Sequence, residues 1–313
     1  MSNQSEKFRT TIGGQALIEG IYMRGPQKQA VVVRTADGLT EKVEALKLIK
    51  DRHPILGWPL IRGVVNFGSS MVCGVKALMY SASFVPEDQQ EQPGKFEQWL
   101  SRHVSSETLE KLMIYFAAVV GVCFSIALFM LLPTFLVGLI GPIHNNHVLR
   151  NLLEGCVKIA LLVGYMALIS RMNDMKRVFA YHGAEHKTIR CYEMGLPLTV
   201  DNVRAQTRKH PRCGTSFLFV VLFISILVGS VIQSSNTLIR MLLHLALLPV
   251  VVAISYEFNR LVGRYDNALT RVLTAPGMAL QSFTTREPDD SMIEVGIAAV
   301  KLVLPEKEGD DRW

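Results

Sequence analysis

Apolar residues in this chain gather into runs, and the runs set its architecture. Four of them, 112–140, 152–169, 216–232 and 238–256, approach the roughly 20 residues that a helix needs to cross a bilayer. The first is long and contains Pro133, which predicts a tilt or a kink. The second carries Lys158, the fourth carries His244, and the third has no charge. A fifth stretch, 58–83, holds Arg62 and Lys76 among many small residues. It reads as an amphipathic helix lying on the membrane or packing on the bundle.

Outside these runs the pattern is that of small polar elements. Residues 16–24 and 30–34 predict strands, Ala36-Asp37-Gly38 a turn, and 40–43 a further strand. Residues 86–94 (PEDQQEQPG) form an acidic linker. Between the second and third spans, 175–193 predicts a helix stopping near Gly195 and Pro197, and 199–209 a second helix capped by Thr199 or Asp201. In the tail, 257–273 extends the fourth span, Pro276-Gly277 marks a break, 281–286 a short strand, and 288–304 an amphipathic helix with acids in its first turn.

The fold class expected is an α-helical multi-pass membrane protein of about four spans. A small cytoplasmic α+β part is built from the N-terminal segment and the C-terminal tail. The divisions are 1–57 (β-rich segment), 58–83 (membrane-associated helix), 84–111 (linker and helix), 112–256 (bundle, with a helical hairpin loop at 172–213) and 257–313 (tail).

Charge orients this arrangement. Arg171, Lys176, Arg177, Lys187, Arg190, Arg204, Arg208, Lys209 and Arg212 crowd the 172–213 loop and its edge, whereas the short loops opposite show only Arg150 and Arg240 near their ends. The positive-inside rule therefore makes both termini and the loop cytoplasmic. The net charge of +6 suits a place beside anionic lipid. No basic stripe interleaved with aromatics is present, so nucleic acid is not an expected partner. The polar start, MSNQSEKFRTTIGGQ, predicts no cleavable signal peptide. Five cysteines with no C-x-x-C pair predict no disulfide framework; Cys123 and Cys156 fall inside spans as small apolar residues.

The chemistry concentrates in Tyr181-His182-Gly183-Ala184-Glu185-His186, an H-x-x-E-H pattern. Histidines four apart share one helix face and can grip one metal ion, and Glu185 can act as base toward water beside it. His210 and Cys213, three apart, would complete a four-ligand set, with zinc the divalent metal that best suits it. Binding by three of the four leaves a position for water. Read structurally, the same histidines cap or pack a helix, and His210 and Cys213 line a polar approach to the membrane. The Gly13–Gly20 run has the glycines of a close backbone approach, but it is no phosphate loop because no Gly-Lys-Ser/Thr follows. Glu19 and Arg24 are candidate site residues or a plain surface ion pair. Glu287, Asp289, Asp290 and Glu294 could hold Mg²⁺ or simply cap a helix.

Four runs, GGQALIEGIYMRGP (13–26), YHGAEHKTIRCYE (181–193), HPRCGTSF (210–217) and TTREPDD (284–290), together resemble the YqhQ-like bacterial membrane proteins, a family often labelled predicted metal-dependent enzyme. The likeness covers nearly the whole chain. It implies a bacterial inner (plasma) membrane protein. By position it marks Gly14, Gln15, Glu19, Gly20, Arg24, Gly25, Pro26, His182, Glu185, His186, Lys187, Glu193, His210, Pro211, Cys213, Gly214, Arg286, Glu287, Pro288 and Asp289.

Two functions follow. One is a membrane-bound metal-dependent hydrolase acting on a peptide or a lipid-linked substrate at the cytoplasmic face, with Glu185 as its catalytic base. The other is a non-enzymatic scaffold or accessory factor of a membrane protein complex, with the histidine cluster structural. A di-iron oxygenase needs more clustered histidines, an intramembrane protease needs its motif inside a span, and a transporter usually shows repeats. The polar motifs at 13–26 and 284–290 predict that the two ends fold together, with Arg24 or Arg286 pairing with Glu19 or the acid cluster. The sequence does not set the oligomeric state.

Overall fold

The computed structural model describes residues 8–46, 53–85, 106–141, 146–265, 267–307 and 309–312, with the side chains of 106–114 left aside. The linker expected at 86–94 lies outside these residues. Strands β1 (Gly13–Leu17), β2 (Gly20–Arg24), β3 (Lys28–Thr35) and β4 (Gly38–Ala45) form an antiparallel meander in chain order. Helices follow: α1 (Ile61–Ala82), α2 (Ser106–Ile126), α3 (Leu132–Gly138), α4 (His147–Ile169), α5 (Asn173–Glu193), α6 (Val200–Arg204), α7 (Gly214–Gly229), α8 (Thr237–Arg264), α9 (Ala268–Thr284) and α10 (Asp290–Val303).

The sheet is covered on both faces, which explains the unbroken apolar run of β3. Ile21, Met23, Ala30 and Val32 pack against Tyr181 and Ala184 of α5 and Val295, Ala299 and Val300 of α10. Leu17, Tyr22, Val31 and Val33 face Ala77, Cys73 and Tyr80 of α1. The strand expected over 16–24 is two strands, joined by a two-residue turn at Ile18-Glu19. Glu19 holds φ +50°, a left-handed conformation without glycine. Tertiary bonds fix it: Arg34 N–H donates to the Glu19 carbonyl, and Arg177 and Tyr181 grip its carboxylate. At β3–β4 the expected turn is present, with Gly38 at φ +124°.

Among the described residues, three helices are long and apolar enough to cross a membrane: Tyr115–Gly138, His147–Ile169 and Thr237–Arg264. The first contains a π-helical turn, Ala127–Leu131, leading into Pro133. A proline lacks the N–H that would continue the ladder, so the wider turn absorbs the defect. The third expected span, 216–232, is not among the three. Helix α7 has 16 residues, about 24 Å at 1.5 Å per residue against a core of about 30 Å. It stops because the chain after Gly229 turns to meet α8, where Arg240 Nη1 donates to the Ile232 carbonyl at 2.6 Å. Helix α1 packs between the sheet and α8, with an Arg62–Glu257 ion pair at 2.5 Å.

The tail departs from its expected pattern. Helix α8 ends at Arg264 and α9 begins at Ala268, where Asn267 and Thr270 form a capping box. Helix α9 then runs through Pro276-Gly277 and over residues 281–284, where a strand was expected. Gly277 lies against Ser216 of α7, and buried Gln281 bonds to both backbone groups of His210. The second loop helix is likewise only α6, capped by Thr199.

The N- and C-terminal regions pack together, with the polar contacts falling outside the 13–26 and 284–290 motifs. Thr10 bridges Arg312, Thr10 Oγ1 donates to Asp311, Lys28 pairs with Glu306 and Arg34 with Glu294. The particular pairs expected are replaced. Glu19 meets Arg177 at 2.5 Å, and Arg286 donates to the Ser170 carbonyl at 2.7 Å. The four acids are engaged separately. Glu287 pairs with Lys187, Asp289 caps α10, Asp290 pairs with Arg204 and Glu294 with Arg34.

Candidate metal centre

Helix α5 positions the motif. Asp174 in its first turn and Arg190 in its last suit the macrodipole, and Gly195 at φ +63° ends it, with Leu196 N–H donating back to the Cys191 carbonyl. His182 and His186 share a face, their ring centroids 4.3 Å apart. Each donates one ring N–H to a backbone carbonyl: His182 Nδ1 to Thr284 O and His186 Nδ1 to Arg208 O, both at 2.7 Å. This commits both Nδ1 atoms as donors and turns both Nε2 atoms toward the group, where each is an electron-pair donor once unprotonated, as in metal sites whose histidines are oriented by an outer shell.

Cys213 arrives from the other side as the N-cap of α7, its Sγ accepting the Thr215 N–H at 3.3 Å. His182 Nε2 lies 3.2 Å from that sulfur. His182, His186 and Cys213 each offer a ligand atom, and these atoms lie within 4.8 Å of one another. Burial disfavours the Cys213 thiolate, but the two histidines outweigh it and hold the thiol well below its ordinary range. Burial likewise opposes protonated His182, yet the neighbouring Cys213 sulfur pushes its pKa up to about 9. Glu185 is buried, which raises its carboxyl above the usual range. Its Oε1 accepts the Gly14 N–H at 3.1 Å, and its Oε2 has no partner among the described residues.

Two glycines permit this closeness. A Cβ on Gly14 would stand 2.5 Å from Tyr22 O and 3.2 Å from Glu185 Cδ. A Cβ on Gly183 would collide with the Arg286 carbonyl, so the motif helix can lie directly on the 286–288 segment. The group opens into a cleft of about 420 Å³, whose lining includes Gly13, Gly14, Gln15, Arg24, Glu185 and Cys213.

His210 is not in the ligand group. Its Nε2 lies 3.0 Å from Glu193 Oε2. Glu193 is wholly buried and also receives the Thr10 N–H and an ion pair from Arg212. Burial alone would raise that carboxyl; these donors together lower it. His210 therefore anchors the 205–213 stretch, with its ring centroid 5.7 Å from that of His186. Lys187 ties the Arg204 carbonyl to Glu287. Glu19, Arg286, Glu287 and Asp289 hold elements around the site and do not enter it. Sequence reasoning missed the Thr284 and Arg208 carbonyls, which no residue type signals, and Gln281, a lone amide on an otherwise apolar helical stretch.

Fold and cleft define a mainly helical protein with, among the described residues, three helices long enough for a membrane and a largely buried His/His/Cys group with an adjacent carboxylate. The chain belongs to the family described as Protein of unknown function (DUF1385), whose family model matches residues 58–306. It is 34% identical over 306 residues to the Uncharacterized protein YqhQ of Bacillus subtilis (strain 168), covering 95% of this chain and 93% of that protein. No solved structure matches.

Proposed function

We propose that this protein is an inner-membrane hydrolase that uses a divalent metal, zinc by donor set, at its cytoplasmic face. The observation that carries the reading is the convergence of His182, His186 and Cys213 ligand atoms within 4.8 Å, beside a buried carboxylate with one unpartnered oxygen. The donor set fits: two imidazoles with their other nitrogens tied to carbonyls, and a sulfur held toward thiolate. Bound there, the metal would supply Lewis acidity and lower the pKa of water. Glu185 takes the proton and orients the nucleophile, because burial raises its proton affinity. Gly13 and Gly14 let a substrate main chain or head group pass close to the group. The basic 172–213 loop supports a cytoplasmic placement of this end. Three ligands with an open cleft favour catalysis over a closed structural site.

Metal content of the detergent-purified protein tests the reading, wild type beside His186→Ala. Near-stoichiometric zinc, lost in the variant, is expected. A folded wild type without metal would overturn it. A second reading then gains weight from the 3.2 Å His182–Cys213 contact at a helix N-terminus, a thiolate nucleophile beside its imidazole.

A further inference from the structure

A second group of ionisable side chains lies within the helical bundle, toward the N-terminal ends of α4 and α8, away from the cleft. Arg150, Glu154, Lys158, Arg240 and His244 are each at most 4% exposed. Charges inside an apolar bundle pair with one another or mark a site. Glu154 is the group's one carboxylate and is fully engaged. Its Oε1 accepts from Arg240 Nε at 2.8 Å and Arg150 Nε at 3.3 Å, and its Oε2 accepts from Thr134 Oγ1. The arginines are completed by the Ser235 and Ile232 carbonyls, Thr237 and Asn151. His244 Nδ1 donates to the Arg240 carbonyl at 2.9 Å. Lys158, one turn beyond Glu154, has no hydrogen-bond partner among the described residues.

Lys158 lines a cavity of about 310 Å³ among α2, the π-helical turn, α4, α7 and α8. It is the one charged residue on a wall built mainly of apolar side chains such as Phe129, Leu162, Met166 and Leu222, with two serines and Tyr165. Both serine hydroxyls donate to carbonyls of their own helices, Ser125 to Gly121 and Ser225 to Leu222. The ammonium is thus the cavity's one cationic donor among the described residues. The wall runs along α4 from Lys158 to Met166, about 12 Å at 1.5 Å per residue.

We propose that this cavity binds a long-chain fatty acid, its carboxylate on Lys158 and its acyl chain along Leu162 and Met166. Three cations face one carboxylate in the group, so an anion from outside restores the balance that the chain itself lacks. The apolar wall requires that this anion carry a hydrocarbon chain. One free ammonium suits a carboxylate head. A phosphate head engages several donors, and the two arginines that could supply them are closed off by Glu154 and backbone carbonyls. The site uses none of the residues of the metal centre, so either can fail alone.

The full chain in phosphatidylcholine nanodiscs, titrated with the fluorescent fatty acid 11-(dansylamino)undecanoic acid, tests this. Saturable binding is expected, displaced by oleate but not by oleyl alcohol. Lys158→Met should weaken binding by about tenfold or more. It should not lower the thermal midpoint, because no hydrogen bond is lost. Ser225→Leu, which fills the cavity and keeps the lysine, should weaken binding too and serves if the first variant does not fold. Equal binding by the folded variants, equal displacement by oleyl alcohol, or preferential displacement by lysophosphatidate would each overturn the proposal.

Discussion

Gly14 donates its backbone N–H to Glu185 Oε1 across 3.1 Å, joining the N-terminal sheet to the helix that carries both histidines. The two residues are 171 positions apart, and the bond leaves the second carboxylate oxygen as the one turned to other work. Gly14→Ala should therefore act on site and fold together. Its Cβ would press on Tyr22 O at 2.5 Å and on Met23 Sδ at 2.9 Å, an overpacking that costs about 1–3 kcal/mol. Gly13→Ala, whose Cβ would meet nothing within 4 Å, should leave stability unchanged while crowding the cleft. Thermal unfolding of the two variants side by side checks this contrast.

Glu185→Gln keeps an acceptor for Gly14 but cannot take a proton. Bound metal should remain at the wild-type ratio, while hydrolysis of any substrate found falls by about 10²–10⁴-fold. Equal turnover in the variant would remove Glu185 from its assigned role.

His210→Ala separates a ligand from an anchor. Metal per folded molecule should stay as in wild type, because His210 pairs with Glu193 and lies outside the ligand group. Stability should fall by about 1–3 kcal/mol, the cost of leaving a buried partner underpaired. Loss of metal from a well-folded variant would return His210 to the ligand set.

The Glu19–Arg177 pair predicts a pH dependence. The Arg177 hydrogen bonds outweigh burial and hold the Glu19 carboxyl below its ordinary value of 4.5. A carboxyl with a lowered folded-state pKa stabilises the protein fully above the unfolded value and loses that contribution as pH falls through the folded one. The thermal midpoint of wild type should therefore drop below about pH 4.5, and more steeply than that of Glu19→Gln. Parallel acid limbs for the two proteins would count against the pair.

Local pattern carried much of this structure. The H-x-x-E-H spacing was legible because four residues make one helical turn, and Cys213 because a thiol beside a membrane-length run stands out. His210 stands apart from the His182, His186 and Cys213 group for a reason that residue type does not signal; its partner Glu193 lies 17 positions back and is itself held by Thr10 and Arg212. The Ile18-Glu19 turn was hidden for the same reason, since Arg177 and Tyr181, far along the chain, hold a conformation that no local glycine announces. Pro276-Gly277 looked like a break, yet the glycine serves contact with Ser216 and the helix continues.

The long-range closure has a consequence for biosynthesis. Thr10 and Asp311 are 301 positions apart, and the same seam supplies Glu193 with the Thr10 N–H. The carbonyl that orients His182 comes from Thr284, after the last of the long apolar helices. The chain through Thr284, with the three long apolar helices before it, must therefore be made before His182 can be locked in place. Such non-local contacts form late. A chain cut short of Thr284 lacks the carbonyl that orients the His182 ring, so ordering of the histidine pair is tied to synthesis of the helix that follows the bundle.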